Sequence, residues 1–123
     1  MKITPEQLKA VQGLLPGYEI QEMTVPGYAP GDEGYYLDIT ALSNGKGHDT
    51  LDSEGAAIFC DLLKRAVLAK DEVVWVESTS FQKDAYVKIR VCDPLETIKT
   101  DLAPTELEAW ILAVTELAGR LGK

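Results

Sequence analysis

Residues 71–93, DEVVWVESTSFQKDAYVKIRVCD, constrain this chain more than any other stretch. Two runs rich in β-branched and aromatic residues flank a short polar turn, the pattern of a β-hairpin. Closing the turn at Lys83 and Asp84 sets Phe81 opposite Tyr86, Glu77 opposite Arg90 and Val76 opposite Val91. One face then carries Val74, Val76, Val87, Ile89 and Val91 and is core. The other carries Trp75, Glu77, Phe81, Tyr86, Lys88 and Arg90. Opposed unlike charges at Glu77 and Arg90 support this register, because such a pair contributes roughly 0.2–1 kcal/mol. Trp75 is expected to be buried under the last helix, giving a helix-sheet-helix sandwich. Left uncovered, its face is an aromatic patch for a partner or a second copy.

The remaining elements are placed by their caps and periodicity. Thr4, Pro5 and Gln7 have capping-box spacing, and Leu8, Val11, Leu14 and Leu15 follow at helical spacing until Pro16 and Gly17 stop the helix. Residues 18–25 (YEIQEMTV) form a strand whose alternation breaks between Ile20 and Met23, which suggests a bulge or an edge. Residues 35–42 (YYLDITAL) alternate cleanly, so a second hairpin is expected, closed over the loop PGYAPGDEG at 26–34. The polar loop 43–50 leads to a helix capped by Asp52 or Ser53. That helix is expected to be the most buried, with Ile58, Phe59, Leu62, Leu63, Ala66 and Val67 in the core. The last helix opens with Thr105 and Glu108 in capping-box spacing and carries Leu107, Ile111, Val114, Ala118 and Leu121.

The expected fold is therefore a single α+β domain over residues 1–123. Its order is α-ββ-α-ββ-α, an antiparallel four-stranded sheet made of two hairpins with three helices packed on it. A helix followed by a hairpin occurs twice, and an internal repeat is suggested by topology alone. At 123 residues and 46% hydrophobic content the chain can bury a sizeable core without disulfides. Cys60 and Cys92 lie in apolar runs and are expected as buried free thiols, which with the absence of an apolar leader or span predicts a cytoplasmic protein with no membrane contact.

Charge placement is the functional signal. Between residues 19 and 61 nine acids (Glu19, Glu22, Asp32, Glu33, Asp38, Asp49, Asp52, Glu54, Asp61) face Lys46 alone, which accounts for the whole net charge of -8. A direct nucleic-acid ligand is not expected, because phosphate contact needs a basic patch and the chain offers only scattered lysines and an isolated Lys88 and Arg90 pair on the hairpin. The opposite relation fits better: an acidic surface occupying a cationic groove.

Three constellations invite chemistry, and each has a plainer explanation. His48 beside Asp49 and Asp52 matches no metal-ligand spacing, and a loop histidine near a helix start accounts for it. Asn44-Gly45-Lys46-Gly47 lacks phosphate-loop spacing, and the carboxylates that follow repel an anion. Cys60 in mid-helix lacks a neighbouring base. No cofactor or metal is expected.

The reading that follows is a non-enzymatic protein-binding module. Its expected partner surface is Tyr28, Asp32, Glu33, Tyr36, Asp49, Asp52 and Glu54, and its partner a basic protein such as a nuclease or a nucleic-acid-binding complex. The corresponding action is inhibition, of the immunity, antitoxin or phage anti-defence kind. The alternatives are an enzyme or small-molecule binder using the 43–52 loop, and a structural subunit that self-associates through Trp75, Phe81 and Tyr86.

Overall fold

The computed structural model describes residues 3–25, 35–92 and 95–121. The chain runs α1 (Pro5–Leu14), β1 (Tyr18–Thr24), β2 (Tyr35–Ala41), β3 (Gly47–Asp49), α2 (Ser53–Leu68), β4 (Val73–Ser80), β5 (Ala85–Val91), β6 (Glu96–Lys99) and α3 (Glu106–Leu121). The helix starts follow from the caps. Thr4 Oγ1 accepts from the Gln7 N–H at 3.1 Å while the Gln7 side chain accepts from the Thr4 N–H at 3.0 Å, and Asp52 caps α2 by accepting from the Glu54 N–H at 3.0 Å. At α3, Thr105 Oγ1 accepts from the Glu108 N–H at 3.2 Å and donates to the Glu108 carboxylate. No helix among the described residues is long and apolar enough to cross a membrane.

The strands form two antiparallel three-stranded sheets, ordered β1-β2-β3 and β4-β5-β6, in place of the expected single four-stranded sheet. Each hairpin takes its third strand from a polar segment that reads as loop: Gly47–Asp49 pairs with β2, and Glu96–Lys99 pairs with β5. These short strands fill the edges through which the hairpins would have joined. Their polarity is that of edge strands, which have no apolar run to announce them.

The second hairpin is shifted by two residues from the expected register. Glu77 lies opposite Lys88, Val76 opposite Ile89 and Trp75 opposite Arg90, with a four-residue turn closed by a Phe81 N–H to Asp84 carbonyl bond. A slip of two keeps the faces, because side chains alternate with period two, so Val76, Val87, Ile89 and Val91 still point inward. Val74 does not: an irregularity between Val73 and Trp75 turns Val73 to the core and leaves Val74 exposed.

Inner faces of both sheets and the apolar sides of the helices close one core. Helix α3, packed against α1, α2 and β5, is the most buried helix, rather than α2. Leu107, Ala109, Trp110, Ile111, Ala113, Val114 and Leu117 are all buried along it. In α2 only Gly55, Phe59, Leu63 and Val67 are buried, with Ile58, Leu62 and Ala66 partly covered. Trp110, at 1% exposure, removes about 200 Å² from water, which at ~25 cal/mol/Å² contributes roughly 5 kcal/mol as an upper bound.

The repeat suggested by topology is present at residue level, with different bounds: the unit is three strands plus the helix that follows. Leu37 on β2 and Thr50 after β3 exchange two bonds, Thr50 N–H to Leu37 carbonyl at 3.0 Å and Leu37 N–H to Thr50 Oγ1 at 2.9 Å. Val87 and Thr100, each 50 positions later, do the same at 3.0 and 3.0 Å. The β2/β3 register, with Asp38 opposite Asp49, maps by the same offset onto Lys88 opposite Lys99 in β5/β6.

Candidate functional site

Alternation along the strands sorts each sheet into a buried and an outward face. In the first sheet Ile20, Leu37 and Ile39 point to the core. The outward face carries Glu19, Gln21 and Met23 from β1, Tyr36, Asp38 and Thr40 from β2, and Gly47 and Asp49 from β3. Asp38 and Asp49 are directly opposed, and Gln21 lies opposite Asp38 on the other side. Among its described residues this face has three acids and no cation.

The expected partner surface divides accordingly. Tyr36 and Asp49 stand on the outward face. Asp49 Oδ1 also accepts from the N–H groups of Leu51 and Asp52, at 3.1 and 3.3 Å, and so shapes the turn into α2. Asp52 and Glu54 belong to the α2 start, the first as cap and the second in the opening turn where the helix dipole favours a carboxylate. Tyr28, Asp32 and Glu33 lie outside the described residues. Glu19 and Asp38, counted among the acids but not assigned to the surface, complete it. The alternation of Glu19 with Ile20, and of Asp38 with Leu37 and Ile39, is the sequence signal that places them outward.

Several other acids are accounted for within the fold. Glu22 accepts from the Ile3 N–H at 2.9 Å, and Asp61 pairs with Arg65 at 2.8 Å. The glycine-rich segment 44–47 runs from the β2–β3 turn into the first residue of β3: Gly45 takes the left-handed φ of 73°, the Asn44 side chain accepts from the Lys46 N–H, and the Ala41 N–H donates to the Lys46 carbonyl. His48 alternates with Asp49 on β3, so the two side chains leave opposite faces of the strand. Among the described residues no three His, Cys, Asp or Glu side chains gather into a metal-holding group. Cys60 and Cys92 are free and half-buried, and burial, reinforced by the Glu106 carboxylate, pushes the Cys60 thiol from 9.0 up to about 12.

Among the described residues nothing packs over the outward face of the second sheet, contrary to the expectation that the last helix covers Trp75. Helix α3 packs on the inner side, and Trp75 and Phe81 are 38% and 58% exposed. This face carries Trp75, Glu77, Tyr86, Lys88, Arg90 and Lys99. The ammonium groups of Lys88 and Lys99 lie 5.6 and 5.0 Å from the Tyr86 ring centre, within cation–π range. Phe81 tilts against the same ring at 6.0 Å. Glu77 reaches Lys88 at 3.9 Å, and the Arg90 guanidinium donates to Thr97 Oγ1 at 3.0 Å.

Comparison of the chain with models of known protein families, with curated proteins and with solved structures gives no match.

Proposed function

We propose that this chain is a non-enzymatic protein-binding module that docks a basic partner on the outward face of its first sheet. The observation that carries the reading is the directly opposed pair Asp38 and Asp49, with Glu19 on the same face and no cation among that face's described residues. Like charges set opposite one another are destabilising by an amount comparable to the roughly 0.2–1 kcal/mol that unlike pairs gain. A cationic surface laid over the face relieves that cost. Tyr36 and the exposed Met23, neighbours across β1 and β2, add the side-chain types enriched at interfaces.

The partner class that suits such a face is a protein whose own groove holds phosphates with Lys and Arg. A carboxylate face seated there excludes nucleic acid by occupancy, which is the action of an inhibitor. Complementary charge also accelerates encounter and disfavours wrong partners.

Affinity capture from lysate by the parent chain and by a Glu19→Lys/Asp38→Lys variant, at about 0.05 M and 0.5 M salt, tests the reading. The expected result is basic proteins retained by the parent at low salt, and lost both on raising the salt and in the variant. Retention that ignores both salt and charge reversal would refute it.

A further inference from the structure

Equivalent positions in the two halves of this chain carry opposite charge. The offset of 50 that relates Leu37 to Val87 and Thr50 to Thr100 also relates Tyr36 to Tyr86. Beside those tyrosines on the same faces it turns Asp38 into Lys88 and Asp49 into Lys99. Each half therefore presents a like-charged cross-strand pair on a sheet face that no described residue covers, negative in the first and positive in the second. Arg90 strengthens the positive face, and Glu77 is its one acid among the described residues.

From this inversion we infer that the outward face of the second sheet in one copy docks onto the outward face of the first sheet in another, head to tail. The inference rests on the reading of the first face as a docking surface and names a second copy as one partner for it. Two faces of opposite sign complement one another between copies: Asp38 and Asp49 gain the counter-charge that their own sheet withholds, and Lys99 and Arg90 gain carboxylate partners beside the Glu77 that already reaches Lys88. Trp75 and Phe81 flank the cationic face and supply the apolar contact that the exposed Met23 and Tyr36 offer from the other side.

Geometry sets the strength. Strands of seven residues at ~3.3 Å per residue, three abreast at ~4.8 Å, give a face of a few hundred Å², below the ~800 Å² per partner of a stable complex. The association is weak and depends on concentration. The net charge of -8 opposes it at long range, but with a Debye length of about 8 Å at physiological ionic strength that repulsion is screened while the facing charges remain in contact. Because the two surfaces differ, the contact is heterologous and builds rings or open chains rather than a closed two-fold dimer.

Sedimentation and light scattering of the full chain across concentration and salt test this, with two variants. Lys88→Glu/Lys99→Glu makes both faces negative, and Glu19→Lys/Asp38→Lys makes the first face cationic like the second. At about 0.15 M salt, where the net repulsion is screened, the parent's average mass is expected to rise with concentration above the 13.5 kDa monomer, and to fall back at about 1 M salt, where the facing charges are screened as well. Each variant, folded by circular dichroism, is expected to remain monomeric alone, and an equimolar mixture of the two to regain the parent's association. A parent that stays monomeric at every concentration, a variant that associates like the parent, or a mixture that stays monomeric overturns the inference. Lys88→Glu/Lys99→Glu retains the acidic face, so basic proteins captured by that variant leave the proposed function standing even if self-association fails.

Discussion

Among the described glycines, Gly55 is the least tolerant of one added carbon. It is buried in the first turn of α2, and a Cβ there would lie 2.0 Å from the Asp49 carbonyl oxygen and 3.0 Å from the Asp49 carbonyl carbon. Restoring an ordinary 3.4 Å contact from 2.0 Å demands a displacement of about 1.4 Å between α2 and β3. The opposing atoms are backbone, so no side-chain rotation relieves them. Gly→Ala in a helix gains up to about 1 kcal/mol in propensity, but overpacking costs typically 1–3 kcal/mol or more, and the displacement also strains the Asp49 and Asp52 caps, worth about 1 kcal/mol each. Gly55→Ala is therefore expected to lose about 1–3 kcal/mol net. At ~2.1 cal/mol/K per residue this 123-residue chain loses about 4 °C of Tm per kcal/mol, so thermal unfolding by circular dichroism should show a fall of roughly 4–12 °C. Gly119→Ala in α3 is the control. Nothing lies within 4 Å of its added carbon, and it should gain about 0.5–1 kcal/mol. A Gly55→Ala variant as stable as the parent, beside a stabilised Gly119→Ala, would refute the close approach of α2 to β3.

Three further outcomes follow from the structure. Thr100→Val removes the acceptor of the buried Val87 N–H and should cost about 1–3 kcal/mol in urea unfolding, with a smaller cost for Thr50→Val, whose site is more open; equal and negligible effects would contradict the shared bonding of the two halves. Cys60 binds its proton more tightly folded than unfolded, so the stability this supplies is complete below 9.0 and is lost as pH rises toward about 12. Cys60→Ala should accordingly lose less stability than the parent over that alkaline range, and a steeper loss in the variant would reverse the sign of the argument. Trp75 and Trp110 differ in exposure, 38% against 1%, so acrylamide should quench two emitting populations, and Trp75→Phe should leave one blue-shifted, poorly quenched component; uniform quenching of the parent would mean that the second sheet's outward face is covered.

Local chemistry in the sequence was sufficient for the helix starts and for the strand faces apart from Val74, which the irregularity between Val73 and Trp75 turns outward. Thr4, Asp52 and Thr105 cap helices because an oxygen one side-chain length from an orphan N–H finds it whatever the rest of the chain does. Val76, Val87 and Ile89 point inward because period-two alternation survives even a two-residue slip of register. The same alternation already turned Glu19, Tyr36 and Asp38 outward. Long-range packing decided what such signals leave open. Whether Glu77 meets Arg90 or Lys88 depended on where the turn is centred, on 81–84 rather than on Lys83 and Asp84, and Gly47–Asp49 and Glu96–Lys99 became strands only because β2 and β5 offered unpaired backbone. Helix α3 chose the inner side of its sheet, leaving Trp75 uncovered, because Trp110 and its neighbours bury more apolar area there than the outward face offers. The opposition of Asp38 to Asp49, and of Lys88 to Lys99, exists only once neighbouring strands pair in one particular register, so a list of charges contains the residues of the candidate site but not the site.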